Sequence, residues 1–171
     1  MDKSLLAIIE NLLFAAGEPL SFDKLYHLLE DYPQMSTSVL NEALSVLMEK
    51  YQGEAIELKH LPGGYCMQTR AEYAFWIQRL WEEKPKKYSQ ALLEVLAIIA
   101  YEEPLTRGDI EQKRGVAVAP QILKTLLERE WVKVIGHRES PGRPALYATT
   151  TNFLNYFNLS SLDELPKIQA E

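Results

Sequence analysis

Glu18-Pro19-Leu20-Ser21 closes an apolar run from Leu5 to Ala16, and Glu103-Pro104-Leu105-Thr106 closes another, from Leu92 to Tyr101, about 85 residues later. In register with these anchors Phe14 falls on Ile99, Ala15 on Ala100 and Leu25 on Ile110. After each anchor comes an amphipathic helical pattern, then two short β-like runs around a Pro-Gly turn, then an aromatic-rich closing segment. Self-similarity at a fixed period sets the domain count ahead of any local reading. The chain reads as a tandem of two small helix-plus-hairpin modules, an organisation suited to binding or assembly.

Outward from the first anchor, Leu5, Leu6, Ile8, Ile9, Leu12 and Leu13 form a wide apolar stripe that predicts a helix over residues 4–16, stopped by Gly17. Ser21 or Asp23 opens a second helix through Leu25, Leu28 and Leu29, ended by Pro33. Ser36 or Ser38 opens a third, with Val39, Leu40, Leu44, Leu47 and Tyr51 on one side. Ala55 to Leu61 alternates, and Tyr65 to Thr69 resumes the alternation after Pro62-Gly63-Gly64, which signals a hairpin. Residues 71–82 predict a tail helix carrying Tyr73, Trp76, Ile77, Leu80 and Trp81.

In the second copy Ser89 caps a helix from Ala91 to Tyr101 that is apolar on nearly every side, Glu94 being its one charge, and so is expected to be buried centrally. Thr106 caps a short helix through Ile110. Pro120 suits the first turn of the next helix, whose inward residues are Ile122, Leu123, Leu126, Leu127 and Trp131. Val132 to Ile135 and Ala145 to Ala148 predict the wing strands, and Phe153, Leu154, Tyr156 and Phe157 mark a closing helix. Helix, helix, helix, hairpin is the order of a winged-helix module, a relative of helix-turn-helix. The expected fold class is mainly α with small β-hairpin wings (α+β), as two tandem winged-helix domains. The expected division is residues 1–82, a linker at 83–88 that overlaps the charged stretch Glu82 to Lys87, a second domain at 89–158, and a C-terminal tail at 159–171.

Composition narrows the function. The chain is 47% hydrophobic and 25% charged, ordinary for a globular protein. It shows no charged-then-apolar leader and no long uncharged apolar run, and its single Cys66 rules out internal disulfides and CxxC metal spacing. A cytoplasmic address is expected, with no membrane contact. His27, His60 and His137 are scattered, no phosphate-cradling glycine motif occurs, and Arg107-Gly108-Asp109 sits at a helix start. No enzyme, cofactor or metal is expected.

Charge distribution weighs on the nucleic-acid alternative, a winged-helix transcriptional regulator with its third helix in the major groove. Residues 1–82 carry 6 Lys and Arg against 12 Asp and Glu, whereas residues 83–171 carry 12 against 12. The third helix of the first copy offers Glu42, Glu49 and Lys50; that of the second offers Lys124 and Arg129 beside Glu128 and Glu130. From Arg107 to Arg143 eight basic residues face five acidic ones, a weak excess for displacing counterions from phosphates. Trp76, Trp81 and Trp131 are many tryptophans for small cores, and tryptophan concentrates at protein interfaces.

The run Ser89-Gln90-Ala91-Leu92-Leu93-Glu94-Val95-Leu96-Ala97-Ile98-Ile99-Ala100-Tyr101, with Glu103-Pro104-Leu105-Thr106-Arg107, strongly resembles the bacterial segregation and condensation protein B (ScpB) family. Leu126-Leu127-Glu128-Arg129, Pro141-Gly142-Arg143-Pro144-Ala145-Leu146-Tyr147-Ala148-Thr149-Thr150 and Leu159 through Pro166 add to the likeness, as does Ile8 through Leu20. The resemblance implies tandem winged-helix domains and a homodimer formed mainly through the N-terminal domains. It implies a kleisin partner, segregation and condensation protein A (ScpA), and through it an SMC ATPase. It also implies a role without catalysis or cofactor in chromosome condensation and segregation, near the nucleoid and with DNA contact indirect or weak. On this frame the dimer interface is expected at Leu5, Ile8, Ile9 and Leu12, and the kleisin contact at Leu123, Leu127, Arg143, Tyr147 and Phe157.

Overall fold

The computed structural model describes residues 2–80 and 88–167; Trp81 and the expected linker at Glu82 to Lys87 lie outside the described residues. The chain divides into two compact units, Met1–Lys84 and Pro85–Glu171.

In unit 1, helix α1 (Lys3–Ala16) begins where the Asp2 carboxylate accepts from the Ser4 amide, and it ends at Gly17 in the left-handed region, φ 63°. Helices α2 (Phe22–Leu28) and α3 (Thr37–Lys50) are capped by the hydroxyls of Ser21 and Ser36. Strands β1 (Ile56–Leu61) and β2 (Gly64–Thr69) form an antiparallel hairpin, with Leu61 opposite Gly64. Leu5, Ile9 and Leu13, spaced four apart, point into a core with Leu25, Leu40, Leu44 and Leu47. Each such side chain contributes roughly 1.5–3 kcal/mol by leaving water.

The connection between α1 and α2 is fastened to the wing. The Leu20 amide donates to the Tyr65 carbonyl at 2.9 Å, and the Tyr65 amide returns the bond to Leu20 at 2.8 Å. This approach leaves no room for a side chain at Gly64: a Cβ there would lie 2.0 Å from the Leu20 carbonyl oxygen, and its φ is +128°.

The tail helix expected over residues 71–82 is cut short. A 3₁₀ turn, Ala71–Tyr73, leads into helix α4 (Ala74–Gln78), only five residues long. Phe75 and Trp76 meet edge to face, Arg79 lies over both rings, and both aromatics stay exposed. A single turn has no second apolar stripe with which to seat its rings on the core.

Unit 2 repeats the plan with additions. Helix α5 (Gln90–Glu102) is capped by Ser89 and followed by strand β3 (Leu105–Thr106). Then come helices α6 (Arg107–Arg114) and α7 (Pro120–Glu128), strands β4 (Val132–His137) and β5 (Ala145–Thr149), and helix α8 (Thr151–Tyr156). The antiparallel sheet has the order β3-β5-β4, with Leu105 opposite Tyr147 and a bulge in β4 between Val134 and Gly136. Leu92, Val95, Ile99, Ile110, Leu126, Trp131 and Phe153 form the core.

Helix α5 is not enclosed as expected. Leu93, Ala97 and Tyr101 face outward, because a small unit covers one side of a helix and leaves the other wet. The repeat also loses register in its first helices. Buried positions 5, 9 and 13 of α1 answer to 92, 95–96 and 99 of α5, so Phe14 is 69% exposed although its sequence counterpart Ile99 is fully buried. The segment expected as a separate tail packs Leu159, Leu162 and Leu165 on the core of unit 2, and the Tyr101 hydroxyl donates to the Pro166 carbonyl at 2.6 Å.

Asp109 ties the start of α6 to the wing. Its carboxylate accepts from the Thr106 amide at 2.8 Å while the Thr106 hydroxyl accepts from the Asp109 amide, a reciprocal cap. Arg138, the residue after β4, adds a two-pronged contact at 2.9 and 2.7 Å. The Arg138 guanidinium, with the Thr106 amide and hydroxyl, holds the Asp109 carboxyl well below the usual carboxylate range.

Gly64→Ala is expected to destabilise unit 1 by about 2 kcal/mol or more, and Gly53→Ala, at positive φ but in open space, by about 1 kcal/mol. Urea titration followed by circular dichroism checks this, and equal costs would refute the steric account. Asp109→Asn is expected to cost about 1 kcal/mol at neutral pH. Because the folded carboxyl titrates below its ordinary value of 3.8, its contribution is complete above that value and lost as pH falls beneath it. Stability curves of the two proteins should therefore converge in acid; a constant gap would sink the assignment.

Candidate interaction surfaces

Among the described residues no three His, Cys, Asp or Glu side chains are placed to hold a metal ion. His27 leans on Glu30 at 3.0 Å at the surface, and His60 stacks on Tyr65 with ring centres 4.4 Å apart. Cys66 is half-buried on β2, and burial pushes its thiol pKa up, away from the reactive thiolate. The Arg107-Gly108-Asp109 tripeptide is engaged internally: Arg107 holds Glu111 and the Val118 carbonyl, and Asp109 is the cap described above. No described helix is long and apolar enough to cross a membrane.

Most of the basic residues from Arg107 to Arg143 are spent in the same way. Arg107 pairs with Glu111 at 2.9 Å, Arg114 with Glu94 at 3.0 Å, Lys124 with Glu128 at 3.6 Å and Arg138 with Asp109 at 2.7 Å. Lys113 pairs with Glu102. Arg129 lies over the Tyr88 and Trp131 rings at 4.8 and 5.3 Å. Of the eight basic residues from Arg107 to Arg143 this leaves Lys133 on β4 and Arg143 in the wing turn. In unit 1, α3 exposes Glu42 and Glu49, and Lys50 holds Glu10 at 2.8 Å. A duplex would have to break these pairs to gain phosphate contacts, which removes the physical basis of the DNA-reader alternative.

Several interface expectations need correction. Leu5 (2% exposed) and Ile9 (fully buried) belong to the core of unit 1 and have no surface to offer a second chain. Ile8 is exposed and Leu12 is half-buried. The exposed stripe of α1 runs through Ala7, Ile8, Asn11, Phe14 and Ala15. Phe14 was missing from the expected set, although its spacing of seven from Ala7, off the Leu5-Ile9-Leu13 line, marks a second face.

On unit 2, Leu123 (6% exposed) is on the inward side of α7, in the core, and it too has no surface to offer a partner. The other four do not converge. Leu127 borders an open groove of about 650 Å³ with Val132, Lys133 and Val134. Phe157 borders another, of about 320 Å³, with Leu93, Ala97, Tyr101 and Leu165. Tyr147 sits half-buried on the central strand, and Arg143 projects from the wing turn at φ 39°. Leu93 and Tyr101, eight residues apart on α5, and the adjacent Val134 and Ile135 are exposed apolar groups that the sequence reading left out. The eight-residue spacing on a helix was the available signal for the first pair.

The sequence profile of a family described as Segregation and condensation complex subunit ScpB matches residues 7–168. The chain is similar to the segregation and condensation protein B homolog of Coxiella burnetii, 48% identical over 162 residues that cover 95% of this chain and 78% of the relative. It is also similar to segregation and condensation protein B of Syntrophotalea carbinolica, 40% identical, covering 95% of this chain and 81% of that one. A crystal structure of a dimer of the ScpB N-terminal domain complexed with a ScpA peptide is 30% identical, covering 46% of this chain and 96% of that chain at a TM-score of 0.41. With a profile match across almost its whole length and relatives of this identity, the chain belongs to the ScpB family of segregation and condensation complex subunits.

Proposed function

We propose that this chain is a non-catalytic subunit of a bacterial SMC–kleisin complex, a homodimer that binds the kleisin ScpA and, through it, an SMC ATPase. In this reading it works in the cytoplasm at the nucleoid, without a cofactor, in chromosome condensation and segregation during cell division. The observation that carries the proposal is a contrast of surfaces in a member of this family. Basic side chains are neutralised within the fold, while apolar ones such as Ile8, Phe14, Leu93, Tyr101 and Val134 stand in water. Exposed apolar groups gathered on helix and strand faces are what partner polypeptides cover.

The roles divide between the units. The outer face of α1, with Ile8, Leu12 and Phe14, meets its copy about a two-fold axis, which makes the contact self-complementary. Unit 2 presents Leu127, Arg143, Tyr147 and Phe157, and the surfaces beside them, to ScpA. A kleisin segment lacking a core of its own would order on binding.

Light scattering of the pure protein is expected to give twice the chain mass, and co-purification with ScpA a stable complex. Combining Ile8→Asp with Phe14→Asp is expected to yield a monomer with an unchanged circular dichroism spectrum, since neither side chain is in the core, and with a melting temperature that no longer depends on protein concentration. A wild-type monomer at all concentrations would refute the dimer. Failure to bind ScpA, with tight and salt-sensitive binding of duplex DNA, would refute the subunit reading.

A further inference from the structure

In the sheet of unit 2, β5 holds the centre and β3 one edge, which leaves the outer side of β4 open. Edge strands that face water are usually guarded by charge or kept short, because their unpaired amides and carbonyls invite another strand. β4 is six residues long and exposes Val134 and Ile135 in succession. Its guard is the bulge between Val134 and Gly136, which bends the strand and limits any added strand to a few residues. Leu127 borders the groove beside it.

Charge selects the occupant. Lys133 on this strand and Arg143 in the turn beyond it are the two basic residues from Arg107 to Arg143 with neither an ion pair nor an aromatic ring among the described residues. The remaining six are matched within unit 2, so from Arg107 to Arg143 the uncompensated positive charge lies on the exposed apolar edge strand and in the turn that follows it. We propose that β4 takes up an extended segment of ScpA as an added strand. Its apolar side chains rest on Val134, Ile135 and Leu127, and its carboxylates reach Lys133 and Arg143. In strand addition the main-chain bonds supply affinity, and alternating side chains supply specificity. A nucleic acid fits this place less well, because two cations neutralise few phosphates.

This inference deepens the ScpA reading and rests on it, and the test separates the two. Amide hydrogen exchange is followed on the full chain alone, with ScpA and with a short DNA duplex. ScpA is expected to slow exchange at Lys133 to Gly136. Lys133→Glu combined with Arg143→Glu, both exposed, is expected to weaken ScpA binding about tenfold at an unchanged melting temperature. Val134→Asp should weaken it further, and the charge-reversed protein keeps the test valid if that variant folds poorly. A complex whose protection falls on the groove of Leu93 and Phe157 or on unit 1, with the charge-reversed protein binding normally, overturns the inference and leaves the ScpA reading standing. Protection of β4 by DNA alone overturns it in favour of a nucleic acid. Absence of any ScpA complex overturns both.

Discussion

Two backbone hydrogen bonds between Leu20 and Tyr65 hold the plan of unit 1 together. They fix the exit of α1 to the second wing strand, and the next residue, Ser21, caps α2. In five residues, Gly17 to Ser21, the chain thus leaves one helix, pairs with the wing and starts another. The wing cannot slide past this point without unpairing both amides, and Gly64 is the accommodation that permits so close an approach. In unit 2 the corresponding Leu105 pairs with Tyr147 and Thr106 caps α6, so the same constraint recurs with a true strand in place of a single bridge. Side-chain contacts between helices and hairpin, such as the Arg138–Asp109 pair of unit 2, tolerate small shifts; the backbone pairing does not.

This constraint explains what was legible in the sequence. Pro-Leu-Ser and Pro-Leu-Thr carry their own local instructions, an extended dipeptide followed by a cap, so the anchors and the helices they open were readable. The wing strands were readable because Pro62-Gly63 separates two alternating runs. The phase of α1 was not. Its apolar residues fill more than one face, and composition cannot say which stripe turns inward. That is why Leu5 and Ile9 entered the expected interface and Phe14 did not. Leu123 was misplaced for a related reason, since a helix nine residues long shows too few turns to separate a covered face from a lateral one. In the tail of unit 1 the helix expected over residues 71–82 shrinks to the five residues of α4, which leaves Phe75 and Trp76 exposed.

Electrostatics set the functional direction. A winged helix that reads DNA keeps cations available; here carboxylates from α5, α6 and α7 take them up. Such surface pairs add little stability individually. Their larger effect is on what the surface can attract, since a neutralised face neither steers nor holds a polyanion. What remains on offer is apolar area, and water is a poor solvent for that.

The first helices of the two units turn corresponding sides outward but clothe them differently. α1 exposes Ala7, Ile8, Asn11, Phe14 and Ala15, whereas α5 exposes Leu93, Ala97 and Tyr101, so a partner shaped to one stripe does not fit the other. Adding strand β3 and packing Leu159, Leu162 and Leu165 against the core reshapes unit 2 further. One fold used twice therefore carries two non-equivalent apolar surfaces. That is the physical requirement for a chain proposed to pair with its own copy through one unit and with a different polypeptide through the other.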